Sequence, residues 1–271
     1  MLGFLFGSKD KKLVRAASEG DLAKVKSLLA KGASANASED GETALVAAVA
    51  NSHDAIAAAL LAGGADPNLG PEAGLTPLTA AIFGGSEKLV TTLLGAGANA
   101  KLADEEGHTP LHLAAYKGTP AMIKLLLSKG ADVQSKTADG HSPLWESCYW
   151  GSFENAAVLL DARANVNSAS AEGVTPLMNL VTQFRLWTMG ALAPDGAVGL
   201  AGLGNLLQGL ANAAEGPVKL PDGLLPLIDR MVAAGADVNA RDANGTTILA
   251  AAKGAEAPQE LLQRLESLGA R

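Results

Sequence analysis

The stretch GHTPLHLAAYKG, from Gly107 to Gly118, recurs in altered form along most of this 271-residue chain. The glycine that opens it returns at a fixed interval of 33 residues, as Gly41, Gly74, Gly107, Gly140 and Gly173. A fixed period of this length indicates structural repeats, each of which buries its apolar side against its neighbours. We therefore expect a stacked array and not a single core built from unrelated elements.

The residues of one unit predict two short helices. Gly107 allows a tight turn with positive φ, after which Thr109 can cap a helix and Pro110 can occupy its first turn. Gly118 ends this first helix. A second helix, with apolar residues at i, i+3 and i+4 spacing, ends at Gly130.

A 33-residue period that carries a T-P-L-H block, here Thr109 to His112, resembles the ankyrin repeat. The resemblance implies an all-α ankyrin-repeat solenoid, in which stacked helix-turn-helix repeats are joined by β-hairpin-like turns. One repeat departs from the pattern because Arg163 stands where the closing glycine belongs. A non-glycine residue in the left-handed conformation costs on the order of 1 kcal/mol, so we expect a strained helix end there.

The array predicts a single ankyrin-repeat domain over residues 1–271, with one long insertion in the sixth repeat. The insertion follows from the spacing, because the next equivalent glycine after Gly173 is Gly245 and the helical pattern resumes only at Leu224. The expected parts are an N-terminal cap (10–37), internal repeats (38–184 and 224–243), the insertion (185–223) and a C-terminal cap (244–271).

The insertion is rich in glycine and leucine, and its apolar residues fall at helical spacing. It could pack on the stack's own surface, form a lid over a partner site or contact a membrane. A membrane span is rejected because Asn205, Gln208, Asn212 and several glycines disfavour bilayer insertion.

Composition narrows the function classes. The net charge of −7 argues against nucleic acid, since phosphate binding needs a basic footprint. A lone cysteine, Cys148, excludes an intrachain disulfide and is expected to be an inert core thiol. The apolar N-terminal stretch is too short for a signal sequence, which favours the cytoplasm, or the periplasm if a leader has been removed.

Catalytic and metal sites are not expected. His112 belongs to the T-P-L-H block and is expected to be structural. His108 and His141 occupy the same turn position in adjacent repeats, about 10 Å apart if helix packing sets the spacing, which is too far for one zinc ion. We therefore expect no enzyme activity, no cofactor and no metal ion.

The resemblance implies that the turn tips and the exposed ends of the first helices form a concave face that binds protein partners. Aromatic and acidic residues collect at these positions, and exposed aromatic residues are typical of interaction hot spots. They predict a protein partner with a basic and apolar patch, unless the insertion itself covers the rings. The candidate partner-binding residues are Phe83, Glu105, Glu106, His108, Tyr116, Lys117, Asp139, His141, Tyr149, Trp150, Phe184 and Trp187.

The preferred interpretation is a non-enzymatic, monomeric protein-binding module of the short, alanine-rich style typical of bacteria. One specific hypothesis is an inhibitor or immunity protein that blocks an effector enzyme. The alternative is a small-molecule or lipid-binding protein in which the insertion walls off an apolar pocket.

Overall fold

The computed structural model describes residues 3–71, 75–183 and 220–271, with side chains from residue 9 onward. These residues form fourteen short helices, mostly in consecutive pairs, as the repeat pattern predicts. The elements are α1 (Gly3–Glu19), α2 (Leu22–Ala30), β1 (Ser38–Glu39), β2 (Glu42–Thr43), α3 (Ala44–Ala50), α4 (Asp54–Ala62), α5 (Pro77–Phe83), α6 (Glu87–Gly95), α7 (Pro110–Lys117), α8 (Pro120–Ser128), α9 (Pro143–Trp150), α10 (Phe153–Asp161), α11 (Pro176–Thr182), α12 (Leu224–Ala233), α13 (Ile248–Gly254) and α14 (Gln259–Ser267).

The chain divides into two compact units. The first comprises residues 1–114 and 124–131, and the second comprises residues 115–123 and 132–271. Helices α7 and α8 contribute residues to both units. The single-domain boundaries proposed from the sequence stay a prediction.

Side-chain caps explain why the first helices of the repeats begin where they do. In five of these helices a Ser or Thr oxygen accepts the backbone N–H three residues later, at 3.2–3.3 Å. Such a cap stabilises a helix by about 0.5–2 kcal/mol. The capping residues are Thr43, Thr76, Ser142, Thr175 and Thr247.

Left-handed residues end the second helices. Glycine holds this position in most repeats, as at Gly97 (φ 93°) and Gly235 (φ 94°). Arg163 holds it in the fifth repeat at φ 62°, so the predicted left-handed arginine is confirmed. Its backbone oxygen accepts a hydrogen bond from Gln134 Nε2 at 2.8 Å.

A ladder of side-chain amides joins the loops that follow successive second helices. In each rung an Asn or Gln oxygen accepts the backbone N–H of the equivalent loop in the next repeat, at 2.7–3.0 Å. These bonds supply part of the nearest-neighbour energy that stabilises repeat proteins. The rungs are Asn36 to Asp66, Asn68 to Asn99, Gln134 to Asn165, Asn167 to Asp237 and Asn239 to Arg271.

The repeat register resumes after the insertion. Helix α12 begins at Leu224, as predicted, and Asn167 of the fifth repeat bonds to Gly235 and Asp237 beyond it. Gly223 lies so close to Phe153 that an added Cβ would stand 2.7 Å from the ring. The end of the insertion therefore returns to a fixed place against α10.

Candidate partner-binding surface

The fifth repeat carries a continuous stack of rings along α9. His141 stacks on Trp145 with ring centroids 3.6 Å apart, and Trp145 stacks on Tyr149 at 5.2 Å. Trp150 meets Tyr149 edge-on at 5.2 Å and contacts Tyr116, from the end of α7, at 4.6 Å. These five rings, which we call the aromatic cluster, lie within the second unit.

Glu146 provides the polar centre of the aromatic cluster. One carboxylate oxygen lies 3.3 Å from His141 Nδ1, and the other accepts a hydrogen bond from Trp150 Nε1 at 3.1 Å. Only 9% of Glu146 is exposed to solvent. Loss of either contact would leave a buried carboxylate oxygen without a partner, which costs free energy. The two contacts therefore hold His141 and Trp150 in defined orientations.

Trp145 connects the cluster to the next repeat. It stands where the fourth repeat has His112, whose Nδ1 accepts the Thr109 backbone N–H at 3.1 Å. An indole nitrogen can only donate, and Trp145 Nε1 instead donates to the Val174 carbonyl at 3.0 Å. Trp145 therefore joins α9 to the turn of the sixth repeat.

Polar side chains of α10 fix the end of α7 beneath Tyr116. Ser152 Oγ donates to the Tyr116 carbonyl at 2.9 Å. Asn155 Nδ2 lies within hydrogen-bonding distance of the Ala115 and Gly118 carbonyls, at 3.2 and 2.9 Å. These bonds satisfy carbonyl groups that a helix end leaves unpaired, and they hold the backbone that carries Tyr116.

The structure brings together only part of the predicted site. Tyr116, His141, Tyr149 and Trp150 join in the aromatic cluster, with Lys117 beside Tyr116 in sequence. Tyr116, Tyr149 and Trp150 are less exposed to solvent than predicted, because their rings cover one another and are half-buried.

The other predicted residues lie elsewhere or cannot be placed. Phe83 belongs to the first unit, where 57% of it is exposed. Phe184 and Trp187 lie outside the described residues.

Trp145 and Glu146 were not among the residues predicted for the site. The available signal was a tryptophan at the motif histidine position, followed by a carboxylate where the fourth repeat has Leu113.

Acidic residues mark the turns between repeats. Among those that are exposed, four in the fourth to sixth repeats form no ion pair with a Lys or Arg of the residues that the structure describes. Their charge therefore stays available to a basic partner. These residues are Glu105 and Glu106 in the first unit, and Asp139 and Glu172 in the second.

Cys148 is completely buried in α9, and burial raises the pKa of its thiol despite a hydrogen bond with Ser147 that acts in the opposite direction. A thiol held in its neutral form is a poor nucleophile, which agrees with the predicted inert core role. Across the described ranges, no helix has the length and apolar character needed to cross a bilayer.

Comparison with known proteins agrees with the repeat geometry. The family model for ankyrin repeats (3 copies) matches residues 13–104 and 84–170, which together cover more than half of the chain. A mitochondrial disaggregase from Bos taurus is 46% identical over 66 residues. That match covers 24% of this chain and only 10% of the relative's length.

The human ASB11 ankyrin repeat domain superposes with a TM-score of 0.70 and 24% sequence identity, over 96% of this chain and 98% of that domain. This likeness shows the fold, and it confirms the ankyrin-repeat fold expected from the sequence. Ankyrin repeats are generally modules for protein–protein interaction and are typically non-enzymatic. The repeat period, the capped helix pairs and the family match together show that this chain belongs to the ankyrin-repeat family.

Proposed function

We propose that this chain binds a partner protein through the aromatic cluster of the second unit, assisted by the acidic turn residues of the same unit, Asp139 and Glu172. The observation that carries the proposal is the aromatic cluster, in which four half-buried rings pack with the buried Trp145, and Glu146 contacts two of the rings. Interaction hot spots are enriched in Trp and Tyr, and anchors that are held in place before binding lose less entropy on association. A ring stack tied to a buried carboxylate satisfies both conditions.

The charge of the turns supports a partner with a basic and apolar surface. Asp139 lies in the same turn as His141, and Glu172 lies in the turn of the next repeat. Ala171 N–H donates to the Asp139 carbonyl at 2.7 Å, which joins these two turns. Basic residues on a partner would meet these carboxylates, while its apolar residues would contact the rings.

A more specific form of the proposal is an inhibitor or immunity protein that occludes an effector enzyme. It is supported by the ankyrin repeats themselves, which are typically interaction modules, and by the absence of a catalytic constellation in the sequence. In this form, the captured partner is an enzyme, and one equivalent of this chain suppresses its activity.

The test is a comparative pull-down from the native lysate with three baits: the wild-type chain, Trp150→Ala and Lys124→Ala. Lys124 is exposed on α8, in the first unit, and serves as the control. The expected partner is retained by wild type and Lys124→Ala and is lost from Trp150→Ala, provided that circular dichroism shows all three baits folded. Equal recovery of every prey by all three baits would contradict the proposal.

A second bait variant separates folding from binding. Trp150→Ala removes the hydrogen bond to Glu146, and an unpaired buried oxygen costs about 1–3 kcal/mol. Tyr149→Ala leaves that bond in place while shortening the ring stack. Loss of the same prey from Tyr149→Ala is the expected result, and normal recovery would place the contact outside the cluster.

A further inference from the structure

One hairpin of the first unit carries three metal-binding side chains. Asp104, Glu106 and His108 alternate along the turn at residues 104–108, and their ligand atoms all lie within 4.8 Å of one another. The turn is closed by the backbone bonds Asp104 N–H to His108 O, at 3.0 Å, and Gly107 N–H to Asp104 O, at 3.1 Å. Gly107 has a φ of 87°, which the tight reversal requires.

Asp104 is already oriented as a ligand. Its Oδ1 accepts the His108 backbone N–H at 2.7 Å, which fixes the carboxylate. Its Oδ2 then lies 3.4 Å from His108 Nδ1, which is long for a hydrogen bond. In a tetrahedral site with metal–ligand bonds of about 2.0 Å, two ligand atoms stand about 3.3 Å apart. The observed separation therefore fits two ligands of one metal ion.

The equivalent turns of the second unit lack this donor set. The turn at 137–141 has Thr, Asp and His at the three positions, the turn at 170–174 has Ser, Glu and Val, and the turn at 242–246 has Asp, Asn and Thr. Among the residues that the structure describes, only Asp104, Glu106 and His108 form such a group of metal-binding side chains. The combination is therefore particular to this hairpin and does not follow from the repeat pattern.

We propose that Asp104, Glu106 and His108 form a surface site for a divalent transition metal of the zinc class. One imidazole nitrogen and two carboxylate oxygens are ligands that zinc accepts, whereas magnesium and calcium prefer a larger shell of oxygen ligands. The exposed Glu106 side chain reaches the metal by a change of rotamer. Three protein ligands leave one tetrahedral position for water or for a side chain of another molecule.

This donor set differs from the pair considered in the sequence, His108 with His141, because both additional ligands come from the same turn as His108. The proposal is independent of the partner-binding function, since it needs only the first unit.

The test is a calorimetric titration of the full, untagged chain with ZnCl2, repeated with MgCl2. Zinc is expected to bind with one-to-one stoichiometry and magnesium is not. His108→Ala and Glu106→Gln should each weaken zinc binding by about tenfold or more, as loss of a ligand or its support typically does. Glu105→Gln is the matched control, because it removes the same charge from the neighbouring residue and should change affinity less than about twofold.

Nitrogen-15 NMR spectra locate the metal, with zinc-induced shifts expected at residues 104–108. Absence of saturable binding below about 1 mM, which corresponds to roughly −4 kcal/mol, would overturn the proposal. Equal weakening by Glu105→Gln and Glu106→Gln would also overturn it, because the binding would then reflect only diffuse negative charge.

Discussion

Replacing Arg163 by glycine should stabilise the protein. Arg163 is the left-handed residue that ends α10, at φ 62°, where most other repeats have glycine. Its side chain is exposed, and among the described contacts the guanidinium makes no hydrogen bond or ion pair. The bond between its carbonyl and Gln134 involves only the backbone and remains in the variant.

The magnitude follows from two opposing terms. A side chain in the left-handed region costs roughly 1–2 kcal/mol, and this strain disappears with glycine. Glycine also makes the unfolded chain more flexible, which returns about 0.4–1 kcal/mol. Taken at the middle of each range, the two terms leave a net stabilisation of about 0.8 kcal/mol, equivalent to a rise in melting temperature of roughly 2–3 °C for a domain of this size.

The assay is urea denaturation followed by circular dichroism, with Arg163→Ala as the matched control. Alanine removes the long side chain and keeps the Cβ that causes the strain, so this variant should resemble wild type. Gly235→Ala introduces the reverse change at φ 94°, where an added Cβ meets no atom within 4 Å. It should lose about 1 kcal/mol. If Arg163→Gly were no more stable than Arg163→Ala, the strain argument would be refuted.

Three further predictions concern the second unit. Asn167→Ala removes one rung of the amide ladder and the bond from Asn167 Nδ2 to the Gly235 carbonyl, and it should lower the free energy of unfolding by about 1–3 kcal/mol, measured by urea denaturation. Glu146→Ala should cost about 1–3 kcal/mol and shift the tryptophan emission, whereas Glu146→Gln should cost less because its amide oxygen can still accept from Trp150. Because burial raises the pKa of Cys148, its neutral thiol contributes stability that is complete below the unfolded pKa of about 8.5 and is lost as pH rises above it. Between pH 7 and 10, the free energy of unfolding should therefore fall less in Cys148→Ala than in wild type.

Local chemistry made much of the fold predictable. The 33-residue period, the capping Ser and Thr residues and the closing glycines each act within a few residues, so the sequence alone predicts them. Arg163 was predictable for the same reason, because its place in the repeat demanded a positive φ whatever residue occupied it. The return of the helix at Leu224 followed from the period and is observed in α12.

The candidate site was less predictable because its energetics depend on contacts between elements. The sequence predicted Tyr149 and Trp150 at the exposed end of a first helix, but their packing on Trp145 and Tyr116 leaves them half-buried. The pairing of Glu146 with both His141 and Trp150 depends on ring orientations that no periodicity encodes. The amide ladder was missed for a similar reason, since each rung joins residues about one repeat apart through a single side chain.

The hairpin at 104–108 illustrates the same limit. From the sequence, His108 and His141 of the next repeat were expected to lie too far apart to share a metal ion. The closed turn instead brings His108 to Asp104 and Glu106, from the same hairpin. All three donors lie within one five-residue turn, so they are neighbours in the sequence as well as in space.

The most direct test of the proposed partner surface is the equilibrium affinity of the captured partner, measured by calorimetry for wild type, Trp150→Ala and Lys124→Ala. Removal of a central aromatic hot spot typically costs about 2 kcal/mol or more, so Trp150→Ala should weaken binding at least tenfold. Lys124→Ala should change the affinity less than about twofold, as substitutions outside the hot spot do. Normal binding by folded Trp150→Ala, together with weakened binding by Lys124→Ala, would contradict the account and move the partner site to the α8 surface of the first unit.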